Sequence, residues 1–428
     1  MTAPIRPRDR DTIIQALSAG VVPRVGLQHI QVGRVSEVKA AIQDIDRIAD
    51  KGGAFRVVIG PYGAGKTFYL NLIRSLALEK RLVTMHADLA PDRRLHASGG
   101  QARNLYQEAV RTMSTRAKPD GGALQSVVER LIGDANQAAA HASKSTDAFI
   151  QERLAPLRDY NGGFDFVTVV SAFCRGHAEG NDQLKSDAVR WLRGEFTTKT
   201  DAQRALGVRT FVDDDTVYDH LKLLSVFVQA AGYAGLLVIL DEMVNLYKMQ
   251  HSVSRQQNYE QVLRILNDVL QGDVKGLGFY LGGTPEFLMD TRRGLYSYAA
   301  LQSRLAENPF SGDGRVDFSG PVLRLANLTP EDLHVLLENV RRVFASGDDS
   351  KNLIPDEAIE AFMAHCNKHI GDAYFQTPRN SVRAFVQMLS TLEQNPSTAW
   401  SDLIARTSLE KDTESAGDGD DELTTFKL

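Results

Sequence analysis

The stretch Gly60-Pro61-Tyr62-Gly63-Ala64-Gly65-Lys66-Thr67 is the strongest structural signal in the sequence. It fits the spacing G-x-x-x-x-G-K-[ST], and it joins an apolar run at 55–60 that reads as a strand to a stretch at 67–78 that reads as a helix. The glycines let the backbone turn tightly enough for several N–H groups to converge on one anion, and the helix that follows adds the positive end of its dipole. Lys66 then reaches the β- and γ-phosphates, and Thr67 offers its hydroxyl to Mg²⁺. Residues 60–68, from Gly60 to Phe68 just beyond the motif, are therefore assigned to binding ATP.

Working outward, residues 81–88 read as a second strand, which completes a βαβ opening. Upstream, Val38, Ile42, Ile45 and Ile48 recur at helical spacing and predict an amphipathic helix over 36–51. Strand character returns at 235–241 and 276–283, separated by a helical pattern over 255–270, and a short fifth strand is expected at 322–325. Between about 90 and 215 there are only helical patterns, broken by Pro119-Asp120-Gly121-Gly122 and Asn161-Gly162-Gly163. Thr329-Pro330-Glu331-Asp332 is a helix start, with a capping residue followed by proline at the first helical position. The expected fold class is an α/β P-loop NTPase with a five-stranded parallel sheet, a large helical insertion and a C-terminal helical lid. The expected domains are an N-terminal segment at 1–34, the ATPase core at 35–328 with its insertion at about 90–215, the lid at 329–400, and an acidic disordered tail at 401–428.

Composition narrows the function classes. The chain has 428 residues, 43% of them hydrophobic, which is ample for a sizeable core and predicts two or three globular units. A net charge of −5 gives no global basic field, so any contact with DNA must come from a local patch. No secretory leader is visible, and the longest strongly apolar stretch, 236–240, is far short of a bilayer span, so the expectation is a cytoplasmic protein with no membrane partner. Cys174 and Cys366 lie far apart without a CxxC partner, which fits a reducing compartment and inert buried thiols. Residues 410–422 hold seven acidic residues against one lysine, a composition that does not build a core.

The second half of the site is read from Leu236-Leu237-Val238-Ile239-Leu240-Asp241-Glu242, a fully apolar run that ends in two carboxylates. Asp241 is expected to hold Mg²⁺, usually through water, and Glu242 to polarise the water that attacks the γ-phosphate. Thr284, at the end of the next strand, either orients that water or caps the helix starting at Pro285. Arg304 is either offered to a neighbouring subunit's γ-phosphate, which requires a homo-oligomer, or is a surface charge, and Arg292 and Arg293 are its rivals. Gln376-Thr377-Pro378-Arg379-Asn380-Ser381-Val382-Arg383 places two arginines one helical turn apart, and Arg379 is the one expected to reach the nucleotide.

Five core strands, an acid pair on the third, a polar residue ending the fourth and a trailing helical lid resemble the AAA+ class of P-loop ATPases, near its origin-recognition and initiator branch. Gln31-Val32-Gly33-Arg34 with Glu37 looks like the segment that lies beside adenine in that branch. More narrowly, three segments resemble the ATP-binding proteins of BREX phage-defence systems: His86-Ala87-Asp88-Leu89-Ala90-Pro91-Asp92-Arg93-Arg94-Leu95-His96, Leu240-Asp241-Glu242-Met243-Val244-Asn245-Leu246-Tyr247 and Tyr280-Leu281-Gly282-Gly283-Thr284-Pro285-Glu286. The likeness runs over roughly 22–389. A similar ATPase accompanies a TerB-like protein and a helicase in the Shango defence system. The resemblance implies bacterial antiviral defence with a helicase and other defence-system proteins as partners.

The leading expectation is thus an Mg²⁺-dependent, oligomeric ATPase that remodels or loads a DNA-acting partner. The alternatives are a slow nucleotide-dependent switch or adaptor, and an initiator-like DNA-binding loader for which Arg93, Arg94 and His96 are the candidate contacts. Leu423, Phe426 and Leu428 close the acidic stretch as a docking peptide or simply as part of a solubilising tail.

Overall fold

The computed structural model describes residues 4–141, 144–310, 317–376 and 378–407. Its centre is one five-stranded sheet in the order β2-β3-β4-β1-β5, with β1 Gly53–Ile59, β2 Val83–Asp88, β3 Leu236–Asp241, β4 Leu277–Gly283 and β5 Val322–Arg324. Every pairing is parallel. β3 and β4 are buried along their whole length, which is why they read as unbroken apolar runs instead of alternating patterns. The register leaves the carboxyl ends level: Asp88 pairs with Asp241, Leu240 with Leu281, and Ile59 with Gly283.

By compactness the chain divides into two units, one of Arg34–Ile59 and Tyr69–Arg324, the other of Met1–Gly33, Gly60–Phe68 and Leu325–Leu428. In the first, helix α1 of the chain is absent and the sheet is preceded by α2 (Val35–Ala49), which buries Ala41, Ile45 and Ile48; α1 itself (Pro7–Ser18) belongs to the second unit. From the phosphate loop runs α3 (Lys66–Glu79). Between β2 and β3 the described chain is helical: α4 (Gln101–Arg111), α5 (Leu124–Ala140), α6 (Thr146–Leu154), α7 (Gly163–Glu179), α8 (Asp182–Leu192), α9 (Lys199–Leu206) and α10 (Val217–Ala230). Gly121 and Gly122 take left-handed backbone angles in the turn between α4 and α5. At Gly163 a Cβ would lie 1.8 Å from the Leu157 carbonyl oxygen, so only glycine lets α7 start there. Phe166, Trp191 and Phe227 meet edge-on or tilted in the core these helices share with the sheet. After β3 come α11 (Val244–Tyr247) and α12 (Ser252–Gln271), and after β4 come α13 (Pro285–Met289) and α14 (Ala299–Leu305).

One buried ion cluster ties this unit together. Arg56 of β1 makes a two-pronged contact with Asp44 of α2, through Nε at 2.6 Å and Nη2 at 3.0 Å. Its Nη1 donates to the Phe318 carbonyl at 2.7 Å and also to that of Gly320. The Tyr280 hydroxyl of β4 donates to Asp44 at 2.8 Å. Burial works to lower the Arg56 pKa, but the bonds and field of Asp44 more than offset it and the net shift is upward. Burial, then the charge of Asp44, pushes the Tyr280 phenol well up, so it stays a donor.

The second unit has its own core of Ile13, Ile30, Leu333, Leu337, Phe362, Phe385 and their neighbours. It is built on α1, α15 (Pro330–Phe344), α16 (Asp356–Ile370), α17 (Ala373–Gln376), α18 (Arg379–Gln394) and α19 (Trp400–Arg406). The start of α15 is a full capping box between Thr329 and Asp332, with Pro330 in the first turn. Within this unit α1 buries Ile13 among the other helices, and Arg10 bonds both Glu393 and the Phe344 carbonyl. The tail does not begin at 401, because α19 buries Ile404; the acidic run at 410–422 and the apolar residues Leu423, Phe426 and Leu428 lie outside the described residues. No described helix is long and apolar enough to cross a membrane.

Candidate functional site

The loop from Gly60 to Thr67 follows β1 directly and opens α3. Gly63 and Gly65 have φ of 79° and 78°, the left-handed values that turn successive N–H groups toward one point. Gly60 is buried, and a Cβ there would lie 3.2 Å from Ala64 Cβ and 3.3 Å from the Leu325 carbonyl oxygen. Lys66 Nζ donates to the loop's own carbonyls at Gly60 (2.8 Å) and Pro61 (2.9 Å), so the ammonium lies across the loop it serves. Thr67 is exposed, whereas Phe68 is half-buried against the helical core of its unit.

At the carboxyl end of β3, Asp241 is 3% exposed and Glu242 is exposed. The chain bends sharply between them. The Asp241 carbonyl accepts from Leu89 N at 3.0 Å, its Oδ1 accepts from Glu242 N at 2.9 Å, and Met243 N donates to the Gly282 carbonyl at 3.0 Å. Held on both sides, Glu242 takes a φ of 56°, a left-handed angle that costs a residue with a side chain on the order of 1 kcal/mol or more. Glu242 is exposed at this bend, while Asp241 is the last residue of β3. Asn245 donates to the Leu89 carbonyl at 2.8 Å and fixes the loop after β2 beside this bend.

Sequence reasoning missed Gly282. A Cβ there would lie 2.3 Å from Asp241 Oδ1 and 2.8 Å from Leu70 Cδ1, so the bare backbone of β4 makes the room in which the carboxylate sits. The signal was present in the doublet Gly282-Gly283 inside an otherwise apolar strand, where glycine marks a close approach.

Of the two roles considered for Thr284, the structure displays the cap: its hydroxyl oxygen accepts from Phe287 N at 3.4 Å at the start of α13. Arg304 is exposed and donates to the Ala300 carbonyl of its own helix at 3.0 Å. Its rival Arg293 is turned inward onto the carbonyls of Tyr247 and Met249, while Asp290 binds the backbone N–H of both Arg292 and Arg293. Arg379 lies in the same unit as the phosphate loop and reaches it: Nη1 donates to the Tyr62 hydroxyl at 3.1 Å, and Nε donates to the Gly20 carbonyl at 2.7 Å.

Other expected contacts are occupied differently. Arg93 sits near Asp92 and Glu108, at 3.8 and 3.9 Å, in a turn where Leu95 N and His96 N both donate to Asn258, which makes this a pinned charged turn. Gln31 accepts from Asn339 at 3.4 Å, and Gly33 lies against Asp332. Both cysteines are buried, and burial pushes each thiol up to about 12, far from thiolate chemistry at neutral pH. Among the described residues no three His, Cys, Asp or Glu side chains gather as a metal cage.

The family model of the BREX system ATP-binding proteins BrxC/D matches residues 5–408. No curated protein matches the chain.

Proposed function

The chain belongs to the family of BREX system ATP-binding proteins, and from that premise we propose that it hydrolyses ATP with Mg²⁺ and works as an oligomer on a helicase partner in a cytoplasmic phage-defence system. The observation that carries the nucleotide reading is the loop at 60–67, with two left-handed glycines and Lys66 laid across their carbonyls. Its amides and Lys66 bind the phosphates, and Arg379 approaches from the same unit. Thr67 and Asp241 would hold Mg²⁺, which neutralises charge on the β- and γ-phosphate oxygens. Glu242 accepts a hydrogen bond from the attacking water and takes its proton as the bond to the γ-phosphorus forms and the bond to the ADP oxygen breaks. Thr284 keeps its hydroxyl hydrogen for donation, since its cap contact uses only the oxygen, and it is suited to orient that water. Arg304, exposed on α14, is the residue offered to a neighbouring subunit.

Lys66→Ala tests the reading. Equilibrium titration with ATP is expected to show affinity at least about 30-fold weaker than the wild type, since a fixed cation beside phosphate contributes on the order of 2 kcal/mol or more. Unchanged affinity would refute the nucleotide site. Turnover per protomer that rises with protein concentration and falls in Arg304→Ala would support the oligomer; turnover indifferent to both would remove it. A methyltransferase and further BREX components are expected beside the gene, whereas a TerB-like protein and a helicase there would assign it to the Shango-like setting.

A further inference from the structure

Arg379 stands in a place that local rules disfavour. It is the first residue of α18, where the helix dipole presents its positive end, and the first turn of that helix holds no acidic residue. Among the described residues the guanidinium has no carboxylate partner, and both of its hydrogen bonds go to uncharged oxygens, the Gly20 carbonyl and the Tyr62 hydroxyl. The contact is nonetheless shaped. Gly20 has a φ of 69°, and a Cβ on it would lie 3.3 Å from Arg379 Nε, so this residue gives the arginine an open carbonyl edge. Tyr62 supplies the second anchor from inside the phosphate loop, at a position where the motif itself makes no demand on the side chain.

We propose that Tyr62 is a positioning residue: its hydroxyl, together with the Gly20 carbonyl, fixes Arg379 at the loop so that the arginine registers the third phosphate of the bound nucleotide. Two anchors at 2.7 and 3.1 Å restrict a long side chain that would otherwise sample many rotamers, which lowers the entropy cost of meeting an anion. A guanidinium held by neutral oxygens keeps its whole charge for the ligand. The residues up to Gly33 thereby enter nucleotide recognition, because the carbonyl that holds Arg379 belongs to the turn that ends α1. This inference rests on the nucleotide reading of the loop.

The test is equilibrium binding of ADP and of the non-hydrolysable ATP analogue AMP-PNP, both with Mg²⁺, to the wild type, Tyr62→Phe, Arg379→Ala and the double variant. Tyr62→Phe is expected to weaken AMP-PNP about 3- to 10-fold and to leave ADP within about twofold, since one hydrogen bond to a charged group is lost while the ring remains. Arg379→Ala is expected to weaken AMP-PNP at least about 10-fold, and the double variant to match it, because the phenol acts only through the arginine. Effects that add in the double variant, or equal losses for ADP and AMP-PNP in Tyr62→Phe, would overturn the proposal. Lys66→Ala separates the two levels: if it abolishes binding of both nucleotides while the cycle is additive, the positioning role fails and the nucleotide site stands.

Discussion

Two arginines in this molecule show how differently the same side chain is used. Arg56 is 5% exposed and spends its donors on Asp44 and on the carbonyls of Phe318 and Gly320. Arg379 is exposed, bonds two neutral oxygens, and makes no ion pair among the described residues. The first is a closed account of charge, in which α2, β1, β4 and the approach to β5 share one salt bridge. The second is open. Saturation of donors by a carboxylate, more than the presence of charge, separates the arginine that holds the fold from the one proposed to meet a ligand.

The comparison breaks most readily at the closed cluster. Asp44→Ala leaves a buried guanidinium without its counter-charge, and is expected to cost about 3–5 kcal/mol of stability, read as a fall in the denaturation midpoint. A loss under about 1 kcal/mol would show that the cluster tolerates water and is not closed. Gly282→Ala lies between the two regimes. Its Cβ would press on Asp241 and Leu70, so we expect about 1–3 kcal/mol of destabilisation together with weaker Mg²⁺-dependent nucleotide binding. A stability loss without any change in Mg²⁺ dependence would sever Gly282 from the function of Asp241.

The smallest effect concerns His220, a buried group that neither closes a charge cluster nor faces a ligand. Burial lowers its pKa, against a weaker upward pull from the Thr216 carbonyl. The folded chain therefore binds its proton less readily than the unfolded chain. Stability is full above the unfolded value near 6.5 and falls as the pH drops below it toward the folded value. Chemical denaturation between pH 7.5 and 5.5 is expected to show this slope in the wild type and a shallower one in His220→Phe; identical slopes would assign the effect to other groups.

The sheet was legible because β1 to β4 are short, largely apolar runs that end at or just before a glycine or an acid, and β1 through β5 begin and end within two residues of the expected positions. The loop at 60–67 and the acids Asp241 and Glu242 could be proposed as a site from sequence because the pattern that suggests them is local. What was hidden joins distant residues. Asp44 and Tyr280 are separated by 236 positions, Tyr62 and Arg379 by 317, and no periodicity announces either pair. Gly20 takes part through its backbone, which carries no side-chain signal. Thr284 could not be resolved from sequence because one hydroxyl oxygen can cap α13 while its hydrogen serves another partner. For α19 the spacing of Trp400, Leu403 and Ile404 was an available helical signal, outweighed by the acidic composition that follows.

In the proposed mechanism the strained bend after β3 presents Glu242 to water while Asp241 serves the nucleotide. Its most direct test is Glu242→Gln, with ATP affinity and turnover measured on the same preparation. We predict ATP binding within about threefold of the wild type and turnover lower by about 10²- to 10⁴-fold, the usual contribution of a general base. Turnover within about threefold of the wild type, with ATP still bound, would contradict it.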